Sequence, residues 1–547
     1  MKTFSPMLFT DLKKYDGKKF VSDLIAGVIV AVIALPLSIA LAIASGVSPE
    51  SGIFTAIIAG LLTALFGGSN VQISGPTAAF ATIVAGIVAK NGVGGLAVAT
   101  IMAGVFLIIM GFLKLGNLIK FIPFTITTGF TFGIAVTLLI GQLKDFCGIT
   151  YINGNSPIET MEKLSAFCQN IATVNFDAII VGVVCLFILV FWPKIYDKIP
   201  ASLIAVFVSI YMVQLLNMNV NTIGDLYDVS SKLPSLNFPE TNLKTITALI
   251  PDAITIAILA GIESLLSCVV ADGMINKHHR SNTELIGQGI ANVGSALFGG
   301  IPCTGAIART AANIKNGGRT PVTGIIHSAV LFAVLIALMP YAAYIPMPAI
   351  AAILISVAYN MCQWRQFLAL IKRSPKSDVI VLVLTFSLTV IFDLVVAIEI
   401  GIITACVLFM KRMSEETNIK SWKYKDHDSD EQVQQLMSVP DYISVYELTG
   451  PLFFAVSNQI QIIKPKPFTK CIILRMRAVP SIDTDAIKQI EKLVENSKNK
   501  GVTVIFSHVN EQPLKAMKKA GLYNKIGDEN FCKHIDAAMK RASKIKA

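Results

Sequence analysis

Long apolar runs separated by short polar loops occupy the chain from near Val21 to Met410. Most of these runs have roughly the 17–25 residues that an α-helix needs to cross the hydrocarbon core of a bilayer, and two are shorter. The pattern predicts fourteen membrane spans: 22–45, 51–68, 76–90, 94–115, 120–142, 175–195, 199–217, 247–272, 284–300, 303–316, 320–343, 346–362, 377–393 and 394–412.

From about Lys411 onward the charges become frequent and the apolar runs shorten to strand length. The alternation of patterns predicts a small α/β domain. Its predicted strands are Tyr442–Leu448, Lys470–Met476 and Val502–Ser507, and its predicted helices are Thr484–Ser497, Gln512–Ala520 and Asn530–Ser543. The tail carries no GxGxxG, P-loop or catalytic triad, and we expect no enzymatic activity and no cofactor. The predicted domains are an N-terminal segment (1–20), a transmembrane domain (21–412), a linker (413–436) and the tail domain (437–547).

Composition supports a polytopic membrane protein, because 54% of the residues are hydrophobic and only 15% are charged. The net charge of +11 is spread over many loops, which does not favour nucleic-acid binding. Loops that the fourteen-span arrangement places inside hold fourteen Lys and Arg. Those placed outside hold five: Lys90, Lys144, Lys163, Lys232 and Lys244. The positive-inside rule therefore predicts cytoplasmic N- and C-termini.

Two Leu-Phe-Gly-Gly stretches, starting at Leu65 and Leu297, lie 232 positions apart and interrupt apolar regions. Each is followed by Pro and further Gly, and then by a short helix-like run. They close the second and the ninth spans, and an odd separation of seven spans gives the two halves opposite orientations. This pattern predicts an inverted repeat whose half-helix N-termini meet near the middle of the membrane. Helix N-termini favour anions, so we expect an anion site between the breaks.

Few ionisable residues lie inside the spans, which makes each one a functional candidate. Glu263 lies mid-span and could carry a proton or bind Na⁺, with the Ser267 hydroxyl one turn later on the same helix face. A structural carboxyl hydrogen-bonded across helices is the alternative. Arg309 lies one turn inside the second break and could support a bound anion, or else snorkel or pair with Glu263. His327 is a candidate proton relay or a helix-packing residue.

The hydroxyl and amide side chains near the breaks are open to two interpretations. They could be ligands, or they could bond only to backbone, as Thr often does in membrane helices. These residues are Thr77, Thr304, Thr310 and Asn313.

Together these motifs resemble the SulP family of anion permeases, the bacterial relatives of solute carrier family 26. The matching stretches are Leu35-Pro36-Leu37, Ala44-Ser45-Gly46-Val47, Gln72–Thr77, Gly261–Leu266 with Ala271-Asp272, Gly305 with Arg309-Thr310, and Gly317–Pro321. The tail, with Pro480, Ile482, Asp483 and Thr484, resembles a STAS domain.

The resemblance implies a UraA-like fold of seven plus seven spans, in which a core domain (spans 1–4 and 8–11) moves against a gate domain (spans 5–7 and 12–14). It implies a homodimer in the inner membrane that transports sulfate, bicarbonate or a C4-dicarboxylate by an elevator motion. By resemblance, the anion contacts map onto Ser74, Gly75, Pro76 and Thr77 at one half-helix and onto Gly305, Ala306, Ile307, Ala308 and Arg309 at the other. The coupling-ion position maps onto Glu263 with Ser267, and Glu rather than Asp there favours H⁺ over Na⁺.

The resemblance also places a regulatory phosphorylation position at Thr484 and a possible regulatory partner at the tail domain. Three alternatives remain open at this point. One is a sodium-coupled bicarbonate symporter. The second is a nucleobase permease, which typically has an acidic residue in the tenth span, where this chain has Arg309. The third is a signalling module whose spans serve only as an anchor.

Overall fold

A computed structural model describes residues 4–117, 123–151, 157, 159–196, 199–239, 242–392, 394–415, 417–421, 439–454, 460, 463 and 467–546. The chain forms two compact units, Met1–Ile402 and Ile403–Ala547. The first is built almost entirely of helices, and the second contains a five-stranded sheet.

Seventeen helices are described from the N-terminus to Glu415. They are α1 (Met7–Asp11), α2 (Gly17–Ala44), α3 (Pro49–Phe66), α4 (Ala81–Phe112), α5 (Phe124–Cys147), α6 (Thr160–Gln169), α7 (Phe176–Ile195), α8 (Ala201–Leu216), α9 (Ile223–Leu226), α10 (Leu243–Ile275), α11 (Ser281–Leu297), α12 (Ile307–Lys315), α13 (Val322–Leu338), α14 (Met347–Cys362), α15 (Trp364–Arg373), α16 (Lys376–Ile391) and α17 (Leu394–Glu415).

Each predicted span overlaps one of these helices, with α4 accounting for two of them. The helix α4 is interrupted at Gly92, whose φ of 68° lies in the left-handed region that glycine adopts without strain. Within the described residues, eight helices are long and apolar enough to cross a membrane, and Ala201–Leu216 is a shorter apolar helix. The multi-span helical architecture is therefore confirmed, while the count of fourteen stays a prediction.

The helices of the first unit pack in two groups. In one, α11 packs on α3 and α4, α10 on α4 and α12, and α13 on α2 and α3. In the other, α5 packs on α14 and α16, and α7 on α8 and α14. These groups follow the predicted core and gate division of the spans.

Small residues allow the helices of the first group to approach closely. A Cβ added at Gly104 on α4 would lie 2.6 Å from the carbonyl oxygen of Gly289 on α11. One added at Gly289 would lie 2.7 Å from the Ile108 side chain. Such close backbone contact is how membrane helices gain packing energy where lipid removes the hydrophobic driving force.

The two short strands β1 (Ser74–Gly75) and β2 (Thr304–Gly305) belong to the first unit, and the sheet of the second unit has five strands that pair in chain order. Its strands are β3 (Asn418–Ser421), β4 (Ile443–Thr449), β5 (Cys471–Ala478), β6 (Thr503–Ser507) and β7 (Phe531–Cys532), and its helices are α18 (Thr484–Lys498), α19 (Glu511–Lys519), α20 (Leu522–Ile526) and α21 (Ile535–Lys546). The β3–β4 pair is antiparallel and the other pairs are parallel. The Asp483 side chain accepts from the Ala486 amide and caps α18, as its sequence position predicts.

Two features of the tail differ from the sequence predictions. The predicted helix Asn530–Ser543 begins only at Ile535, because Phe531 and Cys532 pair with β6 at the sheet edge. Within the predicted linker 413–436, residues 418–421 form β3. The remainder of that linker, from residue 422 to 436, lies outside the described residues.

Candidate anion site

The two breaks meet in the interior of the helical unit. Two short strands, β1 (Ser74–Gly75) and β2 (Thr304–Gly305), pair antiparallel, with Ser74 opposite Gly305 and Gly75 opposite Thr304. The Ala306 amide also donates to the Ile73 carbonyl at 3.0 Å. Antiparallel pairing is expected of equivalent segments from two halves of opposite orientation. The structure thus brings the two predicted segments together.

Each strand leads directly into a helix N-terminus. The first continues through a 3₁₀ turn (Ala78–Phe80) into α4, and the second enters α12 at Ile307. Neither start has a side-chain cap. The first α-helical bond of α12 runs from the Thr310 amide to the Ala306 carbonyl, so the preceding N–H groups have no acceptor within the helix. These donors and the positive ends of two helix dipoles converge on one place.

A cavity of about 320 Å³ lies at this convergence. We call it the cradle cavity. Among the predicted site residues, its walls include Pro76, Thr77, Glu263, Gly305, Ala306, Ile307, Ala308 and Arg309. Side chains of α5 and α14, including Phe130 and Asn360, form the opposite wall. Ser74, Gly75 and Ser267 are not part of the wall and lie behind it.

Arg309 connects the two half-helices. Its side chain is 1% exposed, and its Nη2 donates to the Ser38 hydroxyl at 3.2 Å and to the Pro76 carbonyl at 3.3 Å. Over the described residues, its Nε and Nη1 have no hydrogen-bond partner and no carboxylate oxygen comes within 4.0 Å of it. Snorkelling and an ion pair with Glu263 are therefore not what the structure shows. A fully buried guanidinium with unused donors is suited to compensation by a bound anion.

A Cβ at Gly75 would overlap the Arg309 Nη1, so the absence of a side chain at Gly75 makes room for the guanidinium. This explains why a glycine follows Ser74 in the first break.

Glu263 lies on α10 and contacts the segment that leads into α4 through the hydroxyl of Thr77. The Thr77 Oγ1 donates to the Glu263 Oε2 at 3.1 Å, and both side chains line the cradle cavity. Ser267 has a different partner from the one that its spacing suggests. Its Oγ donates to the Gln72 Oε1 at 2.9 Å and lies 3.4 Å from the Thr310 hydroxyl.

Sequence reasoning missed a polar network that fixes the strand pair. The Gln72 Nε2 donates to the Ser264 carbonyl at 3.0 Å, while the Gly305 amide donates to the Ser264 Oγ at the same distance. Ser264 also contacts the Thr304 hydroxyl at 3.1 Å. A Cβ at Gly305 would overlap the Gln72 side-chain amide. The only signal of this network in the sequence was the presence of polar residues inside an apolar span and inside a break.

A second missed network holds Ser74 from the other side. The Gln288 Nε2 donates to the Ser74 Oγ at 2.7 Å and to the Glu284 Oε1 at 2.9 Å. The Glu284 Oε2 accepts from the amides of Gly68 and Ser69 at 2.8 and 3.1 Å. Glu284 and Gln288 are both fully buried on α11. One chain of hydrogen bonds thus runs from the first Gly-Gly break to Ser74 in β1.

The other polar candidates have structural roles or lack partners. Asn313 donates to the Val71 carbonyl at 2.8 Å, and the Thr310 hydroxyl accepts from the Ile73 amide at 3.1 Å. His327 is fully buried, and within the described part of the chain neither of its ring nitrogens has a partner. Thr484 is exposed at the first position of α18, far from the cradle in the chain. No group of three or more His, Cys, Asp or Glu suited to a metal occurs among the described residues.

The fold and the site together define a polytopic membrane protein with paired half-helices followed by an α/β tail. Residues 20–385 match the Sulfate permease family and residues 434–538 match the STAS domain. The chain belongs to the sulfate permease family.

Its relatives match over nearly the whole length. A protein named putative sulfate transporter YvdB, from Bacillus subtilis (strain 168), is 40% identical over 531 residues, covering 96% of this chain and 98% of the relative. The bicarbonate transporter BicA from Picosynechococcus sp. is 30% identical over 541 residues, covering 95% of this chain and 94% of the relative.

Solved structures agree with the fold. The transmembrane domain of a cyanobacterial BicA aligns with a TM-score of 0.62 at 31% identity, covering 72% of this chain and 98% of that chain. Murine Slc26a9 in the inward-facing state aligns with a TM-score of 0.88 at 18% identity, covering 98% of this chain and 94% of that chain. The helical transporter fold with a C-terminal STAS domain is thereby confirmed.

Proposed function

We propose that this protein is a secondary active transporter of a small anion such as sulfate, bicarbonate or a C4-dicarboxylate. One observation carries the proposal. Two uncapped helix N-termini and the buried Arg309 guanidinium, which has unused donors, converge on a cavity with one carboxyl side chain, Glu263, in its described wall. Such a site attracts negative charge and selects by charge and size.

The names of the relatives support the same substrate class. Those named above are a putative sulfate transporter and a bicarbonate transporter. The two substrates share a compact oxyanion structure, which suits a site built largely from backbone donors.

We assign the coupling role to Glu263, with H⁺ as the coupling ion. The contact between its carboxyl and Thr77 links its protonation to the first turn of a half-helix that lines the cradle. Hard cations are usually held by several oxygen ligands, and the Ser267 hydroxyl is engaged by Gln72 instead. This arrangement favours H⁺ over Na⁺. A sodium-coupled bicarbonate symporter is the second candidate, because two relatives at 30% and 31% identity are named bicarbonate transporters.

The position of the cradle cavity between two helix groups supports elevator-type alternating access as the transport mechanism that we propose. One wall belongs to the group of α2, α10, α12 and the segment that leads into α4, and the other to α5 and α14. A rigid movement of the first group against the second would carry the bound anion across the membrane while leaving its contacts intact.

The test is uptake into proteoliposomes that contain the purified full-length chain. Labelled sulfate, bicarbonate and succinate are supplied separately, under an imposed proton gradient or an imposed sodium gradient. We expect concentrative uptake of at least one anion with the proton gradient. Uptake driven only by sodium would replace the H⁺ assignment with the second candidate, and no uptake of any anion would remove the proposal.

We further propose a homodimer in the cell's inner membrane, with both termini in the cytoplasm. The tail domain would be the place where a regulatory protein binds or where Thr484 is phosphorylated, since that hydroxyl is exposed.

A further inference from the structure

A second cavity lies further along two of the helices that line the cradle cavity, α2 and α5. It measures about 260 Å³, and we call it the lysine cavity. Its lining includes Ala81 and Thr82 at the start of α4, while Ala78 and Ala79 of the preceding 3₁₀ turn line the cradle cavity. Helices α2 and α5 also line both cavities, and in the lysine cavity they do so with residues closer to their C-terminal ends. The predicted orientation places these ends at the outer side of the membrane.

Two basic side chains line the lysine cavity, Lys144 on α5 and Lys163 on α6. Asp145 is the one carboxylate in its described lining. Over the described residues, no salt bridge within 4.0 Å involves either lysine. The Lys144 Nζ lies 5.0 Å from the centroid of the Tyr151 ring, which also lines the cavity. The described lining therefore holds two ammonium groups and one carboxylate, Asp145, and no carboxylate oxygen among the described residues lies within 4.0 Å of either ammonium group.

Burial lowers the pKa of Lys163, which lies in the connection between two predicted spans. An ammonium group that has lost part of its hydration and has no close carboxylate gains from a neighbouring anion.

Thr137 supplies a third polar group. Its side chain is 6% exposed, and its Oγ1 has no hydrogen-bond partner in the described part of the chain. It lines the lysine cavity on the side of α5. An unsatisfied buried hydroxyl is costly, and an oxyanion in the cavity would supply the missing acceptor.

A neighbouring cavity of about 320 Å³ differs from the lysine cavity in the charge of its lining. It shares Thr82 and Thr137 with the lysine cavity, but the charged residues of its described lining are Glu159, Glu162 and Asp252 with one cation, Lys90. The excess of carboxylates disfavours an anion there. Of the two cavities that share Thr137, the one lined by the lysines is the one suited to an anion.

We propose that Lys144, Lys163 and Thr137 form an outer anion-binding site, in which a small oxyanion binds before it enters the cradle. The proposal rests on the proposed transport function. The two ammonium groups raise the local concentration of anions at the entrance, and Thr137 donates a hydrogen bond to an anion oxygen inside the lysine cavity. Removing the charges should weaken capture from outside without changing the transport cycle itself.

The experiment measures initial uptake of labelled sulfate and labelled bicarbonate from outside by intact cells that express the full chain, normalised to surface expression. The variants are Lys144→Gln, Lys163→Gln, the double variant and Thr137→Val. We expect the double variant to raise the KM for external anion about tenfold while Vmax changes by less than about twofold. Its KM should also depend less on ionic strength than that of the wild type.

Three variants serve as controls. Lys232→Gln removes a charge from another predicted outer loop, and Lys90→Gln removes one from the acidic cavity; both should keep the wild-type KM. Lys163→Arg keeps the charge and should also keep the KM, which separates loss of charge from misfolding.

An unchanged KM in the double variant, or a fall in Vmax alone, would overturn the outer site while wild-type uptake still supports the transport function. An equal rise in KM for Lys232→Gln would also overturn the outer site, because a positive charge anywhere on the outer surface would then have the same effect on anion capture. If the wild type takes up neither anion in cells nor in proteoliposomes, it is the transport function that fails.

Discussion

In the proposed mechanism, Glu263 links the two functions of the site, anion binding and proton coupling. Its carboxyl contacts Thr77, whose neighbouring residues form the N-terminal turn of one half-helix, and it shares the cavity wall with Arg309 of the other. Protonation of Glu263 changes the charge beside a cavity that is otherwise suited to an anion. Anion binding and protonation should therefore favour one another, since each reduces the electrostatic cost of the other.

Replacing Glu263 with Gln tests this coupling. The amide has nearly the same shape and can still contact Thr77, but it cannot release a proton. We expect proton-driven accumulation to be lost while exchange of internal for external anion persists. Parallel measurements of gradient-driven uptake and counterflow in proteoliposomes distinguish the two. Full accumulation by Glu263→Gln would contradict the assignment.

At the scale of single residues, the sequence identified Glu263 and Arg309 as functional candidates, because a charged side chain inside an apolar span can be recognised without any structure. It could not predict their partners. The i, i+4 spacing places Ser267 on the same helix face as Glu263, yet Ser267 binds Gln72, which lies 195 positions away. A contact over such a separation depends on the tertiary fold and not on the local spacing.

At the scale of elements, the two half-helices depend on glycines that leave room for polar side chains. Gly305 lies against the Gln72 amide, and Gly75 lies against the Arg309 guanidinium. Gly/Pro breaks could be found in the sequence because they interrupt local hydrophobic runs. The buried chain of hydrogen bonds from Glu284 through Gln288 to Ser74 could not be found in the sequence, because Gln288 and Ser74 are 214 positions apart.

The Gly305→Ala variant should lose transport and lower the melting temperature in detergent, because its Cβ overlaps the Gln72 side chain; such overpacking costs about 1–3 kcal/mol. Combining it with Gln72→Ala removes the clash and should restore part of the stability. If Gly305→Ala melts and transports like the wild type, the close packing of the strand pair is wrong.

The Gln288→Met variant keeps the side-chain length on α11 but removes the donor to Ser74 and Glu284. Leaving these buried acceptors without a donor costs about 1–3 kcal/mol, so the melting temperature should fall and the KM for the anion should rise. The exposed Gln214→Met on α8 is the matched control. Equal effects of the two substitutions would show that Gln288 does not position the cradle.

At the scale of the whole molecule, the apolar pattern predicted the helices of the membrane unit well because span length is a local property. The strand pairing at the edge of the tail sheet was harder to predict from the sequence. Phe531 and Cys532 lie next to a helical pattern, and their strand conformation depends on β6, more than twenty residues earlier in the chain.

The orientation predicted by loop charges can be tested at Cys168, which is exposed on α6 between the fifth and sixth predicted spans. A membrane-impermeant maleimide should label it in intact cells, and Cys168→Ser should remove that signal. Labelling only after permeabilisation would invert the predicted topology, and with it the outward position of the lysine cavity.

The central claim is that an anion is held between the two half-helix N-termini, and transport by a cavity-filling variant tests it most directly. Ala308 lies in the first turn of α12 and lines the cradle cavity. Uptake of labelled sulfate, bicarbonate, succinate and uracil into proteoliposomes is compared for the wild type and Ala308→Phe at equal reconstitution. We predict that the wild type takes up at least one of the anions and not uracil, and that Ala308→Phe takes up none. Wild-type uptake of uracil alone, or anion uptake by Ala308→Phe equal to that of the wild type, would contradict the account.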